Sequence, residues 1–364
     1  MPSDVRATVS DCSERELVAR IERHLLPPPA WILVGIGDDA AIVEPERNRV
    51  EVLTVDAVVE GVHFDRAFVP PAAIGHRALA VNLSDLAAMG ASPRLALLSM
   101  ALPAALPLSD FDAIVAGFAA LAAAHRLHVV GGNLTRSPGP LMIDVTLVGT
   151  VKRRQGLTRA GARPGDDLYV SGAIGAAAAG LRLLREVVSR QSSVNSQQST
   201  VVNLSPRSPD DLRLTTDGSR LTTAYLTPTP RIRLGLLLAR NRAASACVDL
   251  SDGLADGVQR IAEASGVGVM LDAGALPIDP AACAFFEARG LDPVEESLAA
   301  GDDYELLVAV RPRTRSRLAA AIRHGGVPLT CIGRCTEDRA IAIRRPDRAV
   351  AAEAALPAGY THFR

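Results

Sequence analysis

The sequence predicts a two-domain protein in which helices and strands alternate. Its 364 residues are too many for a typical single hydrophobic core. Strand-like periodicity over residues 50–59 and 141–151 is separated by apolar helical segments such as residues 73–89. We place the boundary just after the second of these strands, which divides the chain into residues 1–151 and 152–364.

The charge balance of the chain excludes a nucleic-acid footprint. Lysine and arginine number 39 and aspartate and glutamate 40, for a formal net charge of -1, and the two signs are interspersed. Hydrophobic residues make up 48% of the chain but aromatic residues only 3%. These values indicate a soluble globule with a core of small aliphatic side chains.

The chain is predicted to be cytoplasmic. Residues 1–6 lack the apolar core of a signal peptide, and the apolar stretch from Leu95 to Leu108 is interrupted by Pro103 and Pro107. Five cysteines, at positions 12, 247, 283, 331 and 335, show no CxxC spacing. This pattern favours buried reduced thiols, although the last two could reach one another on a helix.

Polar residues stand within predicted elements of the first domain. A helix is predicted to start at residues 13–16, and the strand over residues 50–59 carries Asp56. The helix over residues 73–89 places Asn82, Ser84 and Asp85 among leucines and alanines, where buried polar groups need partners. A helix over residues 110–125 then leads to a strand that is predicted to run into a glycine turn at residues 131–132.

The second domain is predicted to begin with a turn at Asp166 and Asp167, a strand over residues 168–172 and a helix over residues 173–185. This strand, glycine and helix arrangement is a weak nucleotide-binding signal. Residues 189–209, rich in serine, glutamine, asparagine and proline, are predicted to be a disordered insertion. Further predicted elements are a helix over residues 232–240, strands over 246–250, 305–310 and 340–344, and a helix over 316–323.

Acidic segments recur along the chain and predict a site for a hard cation. The first is Gly35-Ile36-Gly37-Asp38-Asp39-Ala40, in which adjacent carboxylates repel each other unless a cation lies between them. The others are Thr54-Val55-Asp56, Asn82-Leu83-Ser84-Asp85, Asp249-Leu250-Ser251-Asp252-Gly253 and Gly301-Asp302-Asp303-Tyr304-Glu305. Carboxylates without a His/Cys cluster suit Mg²⁺, which usually binds a few carboxylates together with substrate phosphates. The sequence therefore predicts phosphate chemistry, and a helix starting at residues 251–253 would favour an anion.

Together with four further motifs, these segments resemble the thiamine-monophosphate kinase family, which belongs with the aminoimidazole ribonucleotide synthetases. The four motifs are Val59-Glu60-Gly61-Val62-His63-Phe64, Leu157-Thr158-Arg159-Ala160-Gly161, Pro228-Thr229-Pro230-Arg231 and Gly359-Tyr360-Thr361-His362-Phe363. The resemblance covers nearly the whole chain in order and omits only the serine- and glutamine-rich insertion.

The resemblance implies a mixed α/β fold of two domains. The N-terminal domain, which would bind metal and ATP, would pair its strands with those of a second subunit in a dimer barrel. A synthetase-like C-terminal domain would close over the cleft. The implied reaction transfers the γ-phosphoryl group of ATP to thiamine phosphate, giving thiamine diphosphate and ADP.

The resemblance also implies roles for individual residues. The metal and phosphate shell would consist of Asp39, Thr54, Asp56, Asp85, Asn133, Asp249 and Asp252. ATP would contact Gly132, Asn133, Arg159 and Ser251, and thiamine phosphate would contact His63, Asp302 and Tyr360. Several Mg²⁺ ions would neutralise the two polyanions and align them for in-line transfer. No nucleophile or general base is expected, because a phosphate monoester is mostly a dianion at neutral pH.

Three positions depart from the family pattern. The family usually has a hydroxyl residue at the position of Val55, an aspartate at Asn133 and a glutamate at Asp302. Val55 removes a possible oxygen ligand, and Asn133 keeps a carbonyl oxygen but loses a charge. Asp302 is one methylene shorter, so a water could bridge it to the substrate.

Other interpretations of these residues remain open at the level of sequence. Asp38 and Asp39 can form a solvated turn, Ser251 or Asp252 can cap a helix, and Asp85 can be a core carboxylate with satisfied hydrogen bonds. His63 and Tyr360 can be structural. The alternative functions are another ATP-using enzyme of the same superfamily and a paralogue that binds nucleotide or thiamine phosphate without turnover.

Overall fold

The computed structural model describes residues 7–195, 216–345 and 355–357. These residues form two compact units, one of residues 7–83, 93–150 and 187–195 and the other of residues 84–92, 151–186, 216–345 and 355–357. Tyr360 and most of the predicted insertion lie outside the described residues. The predicted division of the chain into residues 1–151 and 152–364 stays a prediction.

The first unit is built on a four-stranded sheet with the strand order β3-β6-β4-β5. In chain order the elements up to residue 152 are α1 (Glu14–Glu22), β1 (Ile32–Val34), β2 (Ile42–Val43), β3 (Arg49–Val59), α2 (Pro71–Ala88), β4 (Ser92–Pro103), α3 (Leu108–Ala124), β5 (His128–Ser137) and β6 (Met142–Lys152). Ser13 caps α1 and forms a capping box with Glu16, as the sequence predicted. Helices α2 and α3 approach closely at Gly75 and Gly117, where a Cβ atom would lie within about 2 Å of a backbone oxygen of the other helix.

The glycine turn predicted at residues 131–132 is wrong, because β5 continues through these residues to Ser137. β5 pairs in parallel with β4, with Leu98 opposite Gly132 and Ser99 opposite Asn133. A Cβ atom at Gly132 would lie 1.8 Å from the backbone oxygen of Leu98. Gly132 therefore permits close approach of two strands rather than a reversal of the chain.

The second unit is built on a six-stranded sheet with the strand order β12-β9-β11-β7-β10-β8. Its elements after residue 152 are β7 (Asp167–Ser171), α4 (Ala176–Asn195), α5 (Thr216–Leu226), α6 (Ile232–Asn241), β8 (Ala246–Asp249), α7 (Leu254–Ser265), β9 (Gly268–Asp272), α8 (Pro280–Glu287), α9 (Pro293–Ala299), β10 (Leu306–Val310), α10 (Arg315–Gly325), β11 (Leu329–Thr336) and β12 (Ile341–Arg344). Strand β12 pairs with β9 in parallel, whereas the other neighbouring strands pair antiparallel. Every residue of β10 is buried, which places this strand in the core of the unit.

Two predictions at the edges of elements are corrected by the structure. Helix α4 extends to Asn195, so residues 189–195 of the predicted disordered insertion are helical. Asp167, predicted to lie in a turn, is the first residue of β7, and both Asp166 and Asp167 are buried. Asp167 pairs with Arg315 and Arg334, and Asp166 accepts a hydrogen bond from Ser245 Oγ at 2.7 Å.

All five cysteines are free thiols, as the sequence predicted. Cys247 and Cys335 are buried, and burial raises the pKa of both thiols, that of Cys335 to about 12. Cys331 is exposed, contrary to the prediction, and it lies with Cys335 on strand β11 rather than on a helix. Among the helices of the described residues, none is both long and apolar enough to cross a membrane.

Candidate functional site

Asp249 ends strand β8 in the interior of the second unit. β8 lies at one edge of the six-stranded sheet and pairs with β10, so that Asp249 stands opposite Leu306. The residue is only 6% exposed. Burying an ionised carboxylate in such a place costs free energy unless a hydrogen-bond partner or a cation compensates its charge.

Three polar side chains surround the Asp249 carboxylate. Ser84 Oγ donates a hydrogen bond of 2.9 Å to Asp249 Oδ2. Asp85, half-buried at the end of α2, and Arg159, exposed, lie within electrostatic reach. Burial and then the negative charge of Asp85 raise the pKa of Asp249 to about 7, against the opposing effects of Ser84 and Arg159. Two carboxylates thus lie within electrostatic reach of each other, with Arg159 and Arg260 as nearby cations.

The turn after β8 leads into α7 as the sequence predicted, but its capping differs. Helix α7 starts at Leu254, and Gly253, with a φ of 104°, occupies the N-cap position, with no side-chain cap from Ser251 or Asp252. Asp252 instead pairs with Arg260 at 2.9 Å. Ser251 supplies its backbone oxygen to Asp302 N at 2.8 Å, which connects this turn to the loop before β10.

The loop before β10 holds an aspartate and a tyrosine in an unusual backbone conformation. Asp302 and Tyr304 have φ angles of 70° and 50°, a region that residues with side chains rarely adopt. Tyr304 Oη donates a hydrogen bond of 3.0 Å to Asp302 Oδ1. The sequence prediction named Asp302 as a substrate contact, and its carboxylate is oriented by this local bond.

Asp303 is a second acidic residue of this loop that the sequence analysis did not single out. Its carboxylate accepts hydrogen bonds from Gly175 N at 3.0 and 3.1 Å. Burial, together with the charge of Glu305, raises the pKa of Asp303 to about 8 despite these bonds. The glycine turn before α4, a weak nucleotide-binding signal in the sequence, binds a carboxylate of the protein itself.

A buried ion pair between Arg231 and Glu305 anchors the same loop. Arg231 Nε donates to Glu305 Oε2 at 2.7 Å, and its Nη2 donates to Oε1. Ser171 Oγ also donates to Oε2, and a Cβ atom at Gly172 would lie 2.0 Å from Oε1. Both Arg231 and Glu305 fall in motifs that carried the resemblance, but their 74-residue separation concealed the pair.

In the first unit, Asp39 lies on an exposed loop between β1 and β2. The two short strands pair antiparallel, with Ile32 opposite Val43 and Val34 opposite Ile42. Gly37 has a φ of 107°, which favours glycine, and Asp39 N donates to Asp38 Oδ1 at 2.9 Å. The Asp39 carboxylate is therefore presented to solvent by a tight glycine-containing loop.

Thr54 and Asp56 lie on β3, and Asp56 is exposed. The backbone of Asp56 is fixed by the fully buried side chain of Asn82 on α2. Asp56 N donates to Asn82 Oδ1 at 3.0 Å, and Asn82 Nδ2 donates to Asp56 O at 3.3 Å and to Ala78 O at 3.1 Å. Two buried polar residues of α2 thus have partners, Asn82 on Asp56 and Ser84 on Asp249.

His63 follows β3 in a turn that its own side chain helps to close. Val59 N donates a hydrogen bond of 3.1 Å to His63 Nδ1, and His63 N donates to Val59 O at 2.9 Å. The half-buried imidazole therefore has a structural contact, in keeping with the structural interpretation left open by the sequence. Its predicted contact with substrate remains a prediction.

Gly132 and Asn133 are exposed residues of β5, and Tyr360 lies outside the described residues. The predicted roles of these residues stay predictions. The structure brings together Asp85, Arg159 and Asp249 in the second unit, and connects Ser251 to Asp302 through the backbone. Asp39, Thr54, Asp56, His63, Gly132 and Asn133 belong to the first unit.

The residues around Asp249 fit a divalent cation. Within the part of the chain that the structure describes, no group of three or more His, Cys, Asp or Glu side chains is arranged to hold a metal ion. Mg²⁺, however, commonly takes one or two carboxylates and completes its shell with water and substrate phosphates. Asp249 and Asp85 provide two such carboxylates. Burial is the main cause of the raised pKa of Asp249, and the negative charge of Asp85, which raises it further, is one that a cation would offset.

Each half of the chain matches the model of a known protein family. Residues 37–151 match the model for the AIR synthase related protein, N-terminal domain. Residues 163–345 match the model for the AIR synthase related protein, C-terminal domain. The E. coli hydrogenase maturation protein HypE, with a TM-score of 0.71 at 21% identity, shares the fold.

Several named relatives are more similar to this chain in sequence than HypE is. The thiamine-monophosphate kinase of Salmonella typhimurium is 35% identical over 90% of this chain and 91% of its own length. The thiamine-monophosphate kinase structure from Stenotrophomonas maltophilia has a TM-score of 0.75 and 38% identity, covering 91% of this chain and 96% of that one. AaThiL complexed with AMPPCP and TMP has a TM-score of 0.70 and 29% identity, covering 99% of this chain and 100% of that one. The chain therefore belongs to the thiamine-monophosphate kinase family of AIR synthase related proteins.

Proposed function

We propose that the chain transfers the γ-phosphoryl group of ATP to thiamine phosphate, forming thiamine diphosphate and ADP. The observation that carries this proposal is the enclosed carboxylate pair of Asp85 and Asp249, with Arg159 within electrostatic reach, in a member of this family. The similarity to AaThiL, a structure complexed with AMPPCP and TMP, supports the same two substrates.

The residues would act by binding and orienting two polyanions. Bound Mg²⁺ would supply positive charge that offsets the repulsion between ATP and thiamine phosphate. Asp85 and Asp249 would hold the cation, and Ser84 would keep the Asp249 carboxylate in place through its hydrogen bond. Arg159 would bind a phosphate of ATP through its guanidinium. No side chain needs to take a proton from the acceptor, because the phosphate is already mostly ionised at neutral pH.

The remaining site assignments are part of the proposal. Asp39, Thr54, Asp56, Asn133 and Asp252 would complete the metal shell, Gly132, Asn133 and Ser251 would contact ATP, and His63, Asp302 and Tyr360 would contact thiamine phosphate. The glycine turns, the fixed backbone of Asp56 and the oriented Asp302 carboxylate support these roles, because each presents a polar group with little freedom.

We also propose that the protein is cytoplasmic and forms a homodimer. Its N-terminal domain, residues 1–151, would form the dimer barrel, and residues 152–364 would form the synthetase-like domain. Exposed apolar side chains on two strands of the four-stranded sheet support the dimer: Leu53 and Val55 on β3, and Leu97 on β4. A sheet face with such residues is a frequent protein-binding surface.

The test of this proposal is the reaction itself. Purified protein is incubated with ATP, MgCl₂ and thiamine phosphate, and the products are separated, with chelator and no-acceptor controls. We expect equal amounts of thiamine diphosphate and ADP, dependent on acceptor and abolished by chelator. ADP without thiamine diphosphate would indicate another acceptor within the superfamily, and ATP binding without turnover would indicate a binding paralogue.

Replacement of Asn133 by Asp is expected to lower the Mg²⁺ concentration that gives half-maximal rate by about threefold to tenfold. The physical reason is that an added carboxylate raises the negative charge offered to the cation. The measurement is a Mg²⁺ titration of the rate at fixed ATP, with Asp144→Asn, a change on strand β6 of the same sheet, as a control that should leave the titration unchanged. An unchanged titration for Asn133→Asp would place residue 133 outside the metal shell.

Affinity for a divalent cation is expected to weaken by about tenfold when the pH falls from 8 to 6, because Asp249 must lose its proton to bind metal. The pKa of Asp249 is raised to about 7, so the carboxylate is mostly ionised at pH 8 and mostly protonated at pH 6. The measurement is Mn²⁺ binding to the nucleotide-free protein by electron paramagnetic resonance. In Asp249→Asn the remaining affinity should lack this pH dependence, and a wild-type affinity that is constant over the same range would contradict the assignment.

A further inference from the structure

Three side chains of the first unit, outside the predicted site, hold the base of the hairpin that carries Asp39. They are Arg94 on β4, His128 on β5 and Trp31 immediately before β1, and we call them the Arg94 cluster. The hairpin consists of β1, β2 and the loop of residues 35–41 between them. Arg94 and His128 come from a paired region of the four-stranded sheet, where Leu95 stands opposite His128.

The hairpin has little structure of its own with which to fix Asp39. β1 and β2 have three and two residues, and an isolated ribbon of this length is marginally stable in water. The hydrogen bond from Asp39 N to Asp38 Oδ1 is local, and Asp38 and Asp39 are both exposed. The position of the loop in space therefore depends on how its two ends are held.

The two ends meet at the Arg94 guanidinium. Glu44, the residue after β2, donates a hydrogen bond of 2.8 Å from its N to Trp31 O. Arg94 Nη2 donates to Glu44 O, and Arg94 Cζ lies 4.3 Å from the centroid of the Trp31 ring. The His128 ring meets the Trp31 ring edge-on, with centroids 5.7 Å apart and planes at 89°. A single side chain thus contacts the residue before β1 and the residue after β2.

The chemistry of this contact is specific to arginine. Arg94 is only 8% exposed, and within the described residues its Nη1 has no hydrogen-bond partner. Burying a cation without satisfying all its donors costs free energy, so the arrangement is not the one that stability alone would favour. A planar guanidinium can stack on an indole ring and donate to a carbonyl at once, which an aliphatic side chain cannot do.

We propose that Arg94 is a positioning residue, which fixes the loop of Asp39 by gripping Trp31 and Glu44 at the base of the hairpin. This inference rests on the proposed function for the role of Asp39 as a metal ligand. A metal ligand on a loosely held loop binds its cation more weakly, because the ordering of the loop opposes binding.

The test compares Arg94→Met with Arg289→Met in the full-length protein. Arg289, which follows α8 in the second unit, also stacks on an aromatic ring, with its Cζ 3.5 Å from the centroid of Phe285. Hydrogen exchange at residues 35–41 is measured by mass spectrometry, and Mn²⁺ affinity by electron paramagnetic resonance. For Arg94→Met we expect exchange in this loop to become about tenfold faster and Mn²⁺ affinity to fall about tenfold, with Arg289→Met unchanged.

Two further variants separate positioning from general stability. Trp31→Phe keeps a ring under the guanidinium and should stay near wild type, whereas Trp31→Leu should resemble Arg94→Met. Asp39→Asn should weaken Mn²⁺ binding, and adding Arg94→Met to it should weaken binding little further, because both changes act on one ligand.

If residues 35–41 of Arg94→Met exchange hydrogen at the wild-type rate, the proposal is overturned. It is also overturned by faster exchange spread evenly over the first unit, which would indicate a role in stability only. A wild-type protein that makes no thiamine diphosphate would overturn the proposed function, while the exchange comparison would still decide whether Arg94 positions the loop.

Discussion

Replacement of Asp249 by Asn is expected to lower kcat/KM for ATP by about 10²- to 10³-fold. The asparagine preserves the shape of the side chain and can still accept the hydrogen bond from Ser84, but it carries no charge for a cation. The loss should appear in the Mg²⁺ dependence of the rate as well as in kcat. The measurement is thiamine diphosphate formation over a range of Mg²⁺ concentrations at pH 8.

The control for this variant is Asp279→Asn. Asp279 is also a buried aspartate, but it caps α8 through Ala281 N and Ala282 N, a role that asparagine can fill. Its replacement should leave kcat/KM within about twofold of wild type. An Asp249→Asn enzyme with the same activity as Asp279→Asn would contradict the role of Asp249 in binding a cation.

Asp249→Asn should also stabilise the metal-free protein at pH 8. The pKa of Asp249 in the folded chain, about 7, lies above its ordinary value of 3.8, so the folded state favours the protonated form. Its stabilising contribution is present below pH 3.8 and is lost as the pH rises to about 7. At pH 8 the variant should therefore melt roughly 2–5 °C higher than wild type. The difference should be smaller at pH 5 and vanish only below pH 3.8, where Asp249 is protonated in both the folded and the unfolded chain. A gain in stability with a loss of activity is typical of a functional residue.

Replacement of Arg231 by Met is expected to destabilise the protein by about 3–5 kcal/mol at pH 8. Removal of the guanidinium leaves the buried Glu305 carboxylate without its charge partner. The pKa of Glu305 is raised by burial, and Arg231 is the main group that opposes this effect. The variant should thus be closer to wild type in acid, where Glu305 is protonated. The measurement is urea unfolding at pH 8 and pH 5.

Arg20→Met is the matched control for this variant. Arg20 pairs with Asp112 at 2.6 Å, but both side chains are about one-third exposed, so its loss should cost no more than about 1 kcal/mol. In the Arg231→Met background, Glu305→Gln should restore part of the stability because no buried charge remains. If Arg231→Met and Arg20→Met unfold at the same urea concentration at pH 8, the buried ion pair is not important for stability.

Elements that depend on local chemistry could be predicted from the sequence. The capping residues gave the start of α1, and the β-rich residues gave the bounds of β3 to within one residue. The glycine turn at residues 131–132 was predicted wrongly, because the need for glycine comes from the neighbouring strand at Leu98. Strand β4 was not recognised, because its apolar residues were examined only as a possible membrane span between prolines.

In the candidate site, too, some residues could be predicted from the sequence and others could not. The acidic segments, including Asp39, Asp85 and Asp249, stand out in the sequence because adjacent or isolated carboxylates need an explanation. The groups that hold them do not stand out. Arg231 lies 74 residues from Glu305, and Arg94 lies 50 residues from Glu44, so that only folding brings them together. Asp303 was passed over because backbone amides, which carry no sequence signal, hold it.

Single-turnover transfer from γ-labelled ATP tests the central claim most directly. Enzyme in excess is mixed with labelled ATP, MgCl₂ and thiamine phosphate, and wild type, Asp85→Asn, Asp249→Asn and Asp279→Asn are compared. We predict that wild type and Asp279→Asn move the label into thiamine diphosphate, and that the two other variants do so at least about 10²-fold more slowly. Label released only as inorganic phosphate in wild type, or equal rates in all four proteins, would contradict a kinase built around Asp85 and Asp249.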